Sequence, residues 1–206
     1  MSSELPPPVL LLIDLQQGMV SGPPEWGSRS TPSLVENVTS LLLTWRSKAW
    51  PILHVQHDDI ADPTNIISAT HPEAFAFHAC AMPLESENRF VKHTGGAFVG
   101  TGLEEALTKY VESSGGWKEG KVVVVGMDSA QCINSTVRHG VDLGFDMVVV
   151  GDACASYELK AWKSDGKGEL LSAEDTHAAA MGMLESYCKV TSLDKLMTVL
   201  GLESGE

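Results

Sequence analysis

The stretch KVVVVGMDSAQCINSTVRHGVDLGFDMVVVG, Lys121 to Gly151, decides the fold. Four consecutive valines, Val122–Val125, are what a strand buried on both faces looks like. Ala130–Leu143 then reads as a helix stopped at Gly144, and Asp146–Gly151 is a second aliphatic strand. A strand, a helix and a strand in so short a span make a parallel pair joined by a crossover.

The same alternation extends in both directions. Upstream, Val9–Asp14 is a strand, and Ser33–Trp50 carries apolar residues at 34, 35, 38, 41, 42 and 45, a helical stripe. Ile52–Gln56 and Phe90–Lys92 are further strands, and Thr101 caps a helix to about Glu112. Downstream, Ser172–Asp175 resembles a capping box opening a helix to about Tyr187. A strand at Cys188–Val190 and a last helix from Ser192 follow. The pattern predicts a three-layer α/β/α sandwich around a mainly parallel six-stranded sheet, Rossmann-like, with no domain boundary in residues 1–206. Two long irregular stretches, Gly18–Pro32 and Asp58–Asn88, are expected to cover a site or a subunit contact.

Composition narrows the function classes. A net charge of −13 argues against nucleic acid or an anionic membrane as partner. No apolar run approaches the roughly 20 residues of a spanning helix. The start, MSSELPPPV, lacks the basic and apolar regions of a signal peptide, and residues 1–8 read as an extended lead-in. Cys80, Cys132, Cys154 and Cys188 form no C-x-x-C pair, which points to a reducing, cytoplasmic setting.

In an open parallel sheet, ligands bind beyond the carboxyl ends of the strands. Asp14 ends the first strand, Lys92 ends the third, and Cys132 follows the fourth by six residues. A thiol must become a thiolate to attack a carbonyl; a carboxylate accepts its proton and an ammonium stabilises the charge. In the first turn of a helix, Cys132 is also expected to gain from the free amides and the helix dipole.

These three segments carry a family resemblance. LLLIDLQQGM, VKHTGGAFVGTGLEEAL and VVVVGMDSAQCINSTVRHGVDLGFDMVVVGDACAS occur in order over nearly the whole chain. They resemble the isochorismatase-like cysteine hydrolase superfamily, which includes nicotinamidases and N-carbamoylsarcosine amidases. The resemblance implies Asp14 as general base, Lys92 as electrostatic partner and Cys132 as nucleophile. It also implies a cis peptide between Met127 and Asp128, with the amides of Asp128 and Cys132 forming an oxyanion hole. No cofactor is implied, and a homo-oligomer, dimer or tetramer, is. Gln16, Trp26, His57, Phe98 and Met127 are the expected pocket residues around a small-molecule substrate.

Departures from the pattern bear on the substrate. Metal-binding nicotinamidases carry an Asp-x-His pair after the second strand, where this chain reads ILHVQHDDIADP. His54 and His57 point to opposite faces of a strand and do not chelate together, so no metal is expected. His71 and His78 lie in the loop beyond; His93 adjoins Lys92 but alternates away from it if the strand continues, His177 is read as structural, and Cys80, Cys154 and Cys188 as passive. Isochorismatases commonly lack the cysteine, so Cys132 favours cleavage of a carbon–nitrogen bond in an amide or ureido compound. Isochorismate hydrolysis, with Asp14 protonating the vinyl ether, is the alternative. A catalytically silent binding or assembly subunit is the third.

Overall fold

Strand β1 (Val9–Ile13) runs through the middle of a six-stranded sheet in this computed structural model, which describes residues 7–113 and 120–202. Most of the lead-in at 1–8 falls outside the described residues. In chain order β1 is followed by helix α1 (Gln17–Ser21), α2 (Leu34–Ser47), β2 (Ile52–His57), α3 (Pro72–Phe75) and β3 (Asn88–Lys92). Next come α4 (Leu103–Ser113), β4 (Lys121–Gly126), α5 (Asn134–Asp142) and β5 (Asp146–Cys154). The chain closes with β6 (Leu159–Lys160), β7 (Leu170–Leu171), α6 (Ala173–Leu184), β8 (Lys189–Thr191) and α7 (Leu193–Val199).

The main sheet has the order β3-β2-β1-β4-β5-β8, and every neighbouring pair is parallel. Alternate residues of the central strands feed two cores. Leu11, Ile13, Val122, Val124 and Val149 pack with residues of α4, α5 and α6. Leu10, Leu12, Val123, Val125 and Val150 pack with α2, whose Leu34, Val38, Leu41, Leu42 and Trp45 are buried. That division produces the three layers. The strand order reverses direction between β1 and β4, so a crevice opens at their carboxyl ends, the general location of ligands in such sheets.

Several boundaries differ from the sequence reading, each for a local reason. The segment after Asp128 begins as a π turn over Ser129–Ile133 before α5, not as a plain helix from Ala130. Strand β5 continues past Gly151 to Cys154, across an irregularity in its pairing with β4. The short antiparallel pair β6–β7 carries no alternation that announces it. Gly18–Pro32 and Asp58–Asn88 contain α3, most of α1 and two 3-10 turns. At Ser172 the capping expectation holds: its hydroxyl accepts from the Asp175 amide at 3.0 Å.

Glu87 pins the end of the second long stretch to the sheet. It takes two hydrogen bonds of 2.8 Å from Arg46, one of 2.9 Å from the Leu84 amide, and contacts His54 Nε2 at 2.9 Å. This buried contact is why His54 is structural. Burial alone raises the Glu87 pKa, but Arg46, Leu84 and His54 together outweigh it and bring it to about 2. Because the folded value lies below the unfolded one, the stabilisation is present above about pH 4.3 and is lost as pH falls towards 2. Urea unfolding midpoints are expected to fall between pH 5 and 3 more steeply in the native protein than in Glu87→Gln.

Candidate active site

The turn that carries Cys132 starts from a glycine that nothing else replaces. Gly126 ends β4 with φ +130°, and a Cβ there would lie 2.0 Å from the Ile13 carbonyl oxygen. This close approach brings the chain across β1, where the Met127 amide donates to Ile13 O at 2.9 Å. The next peptide, Met127–Asp128, is cis. The Asp128 carboxylate then holds the turn, accepting from the Ala130 amide at 2.8 Å, Ser156 Oγ at 2.9 Å and the Tyr157 amide at 3.2 Å. Gln131 and Ile133 donate their amides to Asp128 O, on either side of Cys132. Gly126→Ala is expected to cost at least about 3 kcal/mol in unfolding free energy, because backbone clash adds to an unfavourable φ.

Three strand ends converge under this turn. Asp14 and Lys92 are fully buried, and Cys132 is 6% exposed. Lys92 Nζ lies 2.8 Å from Asp14 Oδ2, 2.9 Å from Thr94 O and 3.2 Å from Cys132 Sγ, so all three ammonium hydrogens have acceptors. Asp14 Oδ1 meets no nitrogen or oxygen donor among the described residues, and the Cys132 thiol sits beside the carboxylate. Asp14 adopts φ +52°, a conformation costly for a residue with a side chain, and such strain gathers at working sites.

The electrostatics correct one expectation. Lysine and helix end do not by themselves hold Cys132 as a thiolate. Burial and the Asp14 charge push its thiol up to about 12 against the pull of Lys92. Cys80, Cys154 and Cys188 are also pushed up, to about 11, 12 and 11, chiefly by burial. A shifted pKa therefore does not single out Cys132; its neighbours do. Burial likewise raises the Asp14 carboxyl, the largest influence on it, with Lys92 opposing. A carboxylate shifted upwards is a better proton acceptor.

His57 ends β2 with Nδ1 3.9 Å from Cys132 Sγ. The Gln16 side-chain amide grips the His57 backbone on both sides, donating to its carbonyl at 3.0 Å and accepting from its amide at 2.8 Å. Gln16 thus acts beneath the site, fully buried, and is not in the wall of the cavity that Cys132 faces. Asp14, His57 and Cys132 bring potential ligand atoms within 4.8 Å of one another. The set does not suit a resident metal, because the Lys92 ammonium already sits against two of the three donors.

Cys132 faces a cavity of about 330 Å³, within the range of small-ligand sites. Trp26 lines it, packed edge-on to Tyr157 with ring centroids 5.2 Å apart. Two other expected pocket residues lie elsewhere. Phe98 stacks on Phe145 in the core, and Met127 is fully buried in the opposite core. Glu25, Tyr157, Glu158 and Thr176 line the cavity and were not expected from sequence. Tyr157 and Glu158 come three and four residues after the true end of β5, so a strand read to Cys154 places them just past a carboxyl end. Thr176, inside α6, carries no local signal.

The comparisons agree with this architecture. The family model described as isochorismatase domain matches residues 8–195. An isochorismatase family protein of Bacillus subtilis, YddQ, is 33% identical over 191 residues, covering 91% of this chain and 97% of that one. A crystal structure of an isochorismatase-family protein from Chromobacterium violaceum superposes with a TM-score of 0.82 at 32% identity, covering 98% and 96% of the two chains. Streptothricin hydrolase of Streptomyces noursei is 26% identical over 155 residues, 74% of this chain and 51% of that protein. The motifs, the parallel sheet and these matches converge: the chain belongs to the isochorismatase family.

Proposed function

We propose that the protein hydrolyses a carbon–nitrogen bond in a small amide or ureido compound through a thioester on Cys132. The observation that carries this reading is the contact of Cys132 Sγ with Lys92 Nζ, beside the Asp14 carboxylate, at the floor of a ligand-sized cavity. A raised thiol pKa is no obstacle to that chemistry. Moving the proton from Cys132 to Asp14 leaves the net charge of the three groups unchanged, so no new charge is created in the buried cluster. Lys92 then exchanges one anionic neighbour for another at nearly the same distance.

Four steps follow. Asp14 takes the thiol proton as Cys132 Sγ attacks the carbonyl carbon, and the carbonyl electron pair moves to oxygen. The amides of Asp128 and Cys132 hold that oxyanion. Its collapse expels the amine, which leaves with the proton from Asp14, and the thioester remains. Water, losing a proton to the same carboxylate, then attacks the thioester and restores the thiol. Isochorismate fits less well: it is a dianion, while Glu25 and Glu158 line the cavity and, among the described residues, no lysine or arginine does.

Ammonia release from a panel of primary amides and ureido compounds, with acid-quenched intact mass, tests the proposal. An acyl adduct mapped to Cys132 is expected during turnover. Pyruvate release from isochorismate with no adduct and no ammonia would replace the amide reading.

A further inference from the structure

The cavity above Cys132 has a charge pattern that the hydrolytic chemistry does not require. Glu25 is exposed at its edge and Glu158 is half-buried. Glu158 is seated: the Ser28 amide donates to its Oε1 at 3.2 Å, and its carboxylate lies against Gly27, where a Cβ would come within 2.3 Å of Glu158 Cδ. The first long stretch of the chain thus fixes an acid carried by the segment after β5. Trp26, one residue from Glu25, offers a ring wall backed by Tyr157, whose hydroxyl is already used on Met19 O at 2.9 Å.

Positive charge is spent elsewhere. Lys92 beneath the cavity is neutralised by Asp14. Arg29, whose field reaches Tyr157, donates to Thr31 O and does not line the cavity. An independent feature points to a ligand. Thr176 lines the same cavity, is 4% exposed, and its hydroxyl has no hydrogen-bond partner among the described residues. Buried hydroxyls are normally paired, so an unpaired one in a cavity wall marks a position for a ligand's polar group.

We propose that the site selects amides or ureido compounds bearing a positive charge, an ammonium or guanidinium held by Glu25 and Glu158 against the face of Trp26. This specificity rests on the cysteine-hydrolase reading above. A cation gains from both carboxylates and from the aromatic ring, and an anion of equal size is repelled by the same groups. Thr176 meets a polar group of the same ligand.

Two measurements test the charge preference without needing turnover, so it can fail while the thioester mechanism stands, and the reverse. One is the ratio of Cys132 modification rates by a trimethylammonium-bearing and a sulfonate-bearing methanethiosulfonate, with the modified residue mapped by mass spectrometry. The other is calorimetric binding of 3-aminopropanamide, propanamide and succinamate to Cys132→Ser protein, which decides if both reagents are slow. The cationic probe is expected to be favoured over the anionic one by at least about tenfold in each. In Glu25→Gln with Glu158→Gln, which keeps the acceptor for Ser28, the preference should fall to within about twofold. Equal treatment of the two charges, preference for the anion, no binding of the cationic amide, or a preference that survives the double substitution would each overturn the proposal.

Discussion

Cys132→Ala is expected to reduce ammonia release from any amide substrate by at least about 10⁴-fold while leaving the fold intact. On the proposed mechanism, removing the covalent nucleophile takes away both halves of the reaction, and what survives comes from binding and oxyanion stabilisation alone. The substitution shortens a side chain at the edge of the core and removes no hydrogen bond that holds the π turn, since Asp128 anchors it. Circular dichroism and the thermal midpoint should stay near those of the native protein. Cys80 has His78 Nδ1 at 3.1 Å, but neither it nor Cys188 lines the cavity that Cys132 faces, so Cys80→Ala and Cys188→Ala should retain most activity in the same assay.

Asp14→Asn is the second large effect, and its components move in different directions. Turnover should be lost by at least about 10³-fold, because no group remains to carry the proton from the thiol to the leaving amine. Stability should fall by about 3–5 kcal/mol, because the buried Lys92 ammonium loses its counter-charge. Pairing the change with Lys92→Met should recover much of that stability in urea unfolding and none of the activity. The thiol itself should become more acidic in Asp14→Asn, since the neighbouring negative charge that pushes it up is gone while Lys92 remains. A merely structural aspartate would not yield lost turnover together with a more acidic thiol.

The fold was legible because its strands are aliphatic runs and its helices are striped. Val122–Val125 and Leu10–Ile13 leave no other place than a sheet covered on both faces. Asp14, Lys92 and Cys132 were legible because each stands at or just past such a run, and the sheet gathers its strand ends at one side. What the sequence hid depends on packing across long separations. Phe98 follows the lysine segment closely, yet the turn after Lys92 folds it into the core against Phe145. Gln16 reads as a pocket residue but spends its amide on the backbone of His57. Glu158 acquires its position only through Ser28 and Gly27, some 130 residues earlier in the chain. The Cys132 thiol was expected to be acidified by charge and dipole, but burial, which no local pattern records, is the larger influence.

The central claim is that Asp14, Lys92 and Cys132 share one proton and one buried ion pair. It is tested most directly by the rate of Cys132 alkylation with iodoacetamide from pH 6 to 10, mapped by mass spectrometry, in the native protein, Asp14→Asn and Lys92→Met. The profile is predicted to move to lower pH in Asp14→Asn and to higher pH in Lys92→Met. Three superimposed profiles, or displacements of the opposite sign, would contradict it.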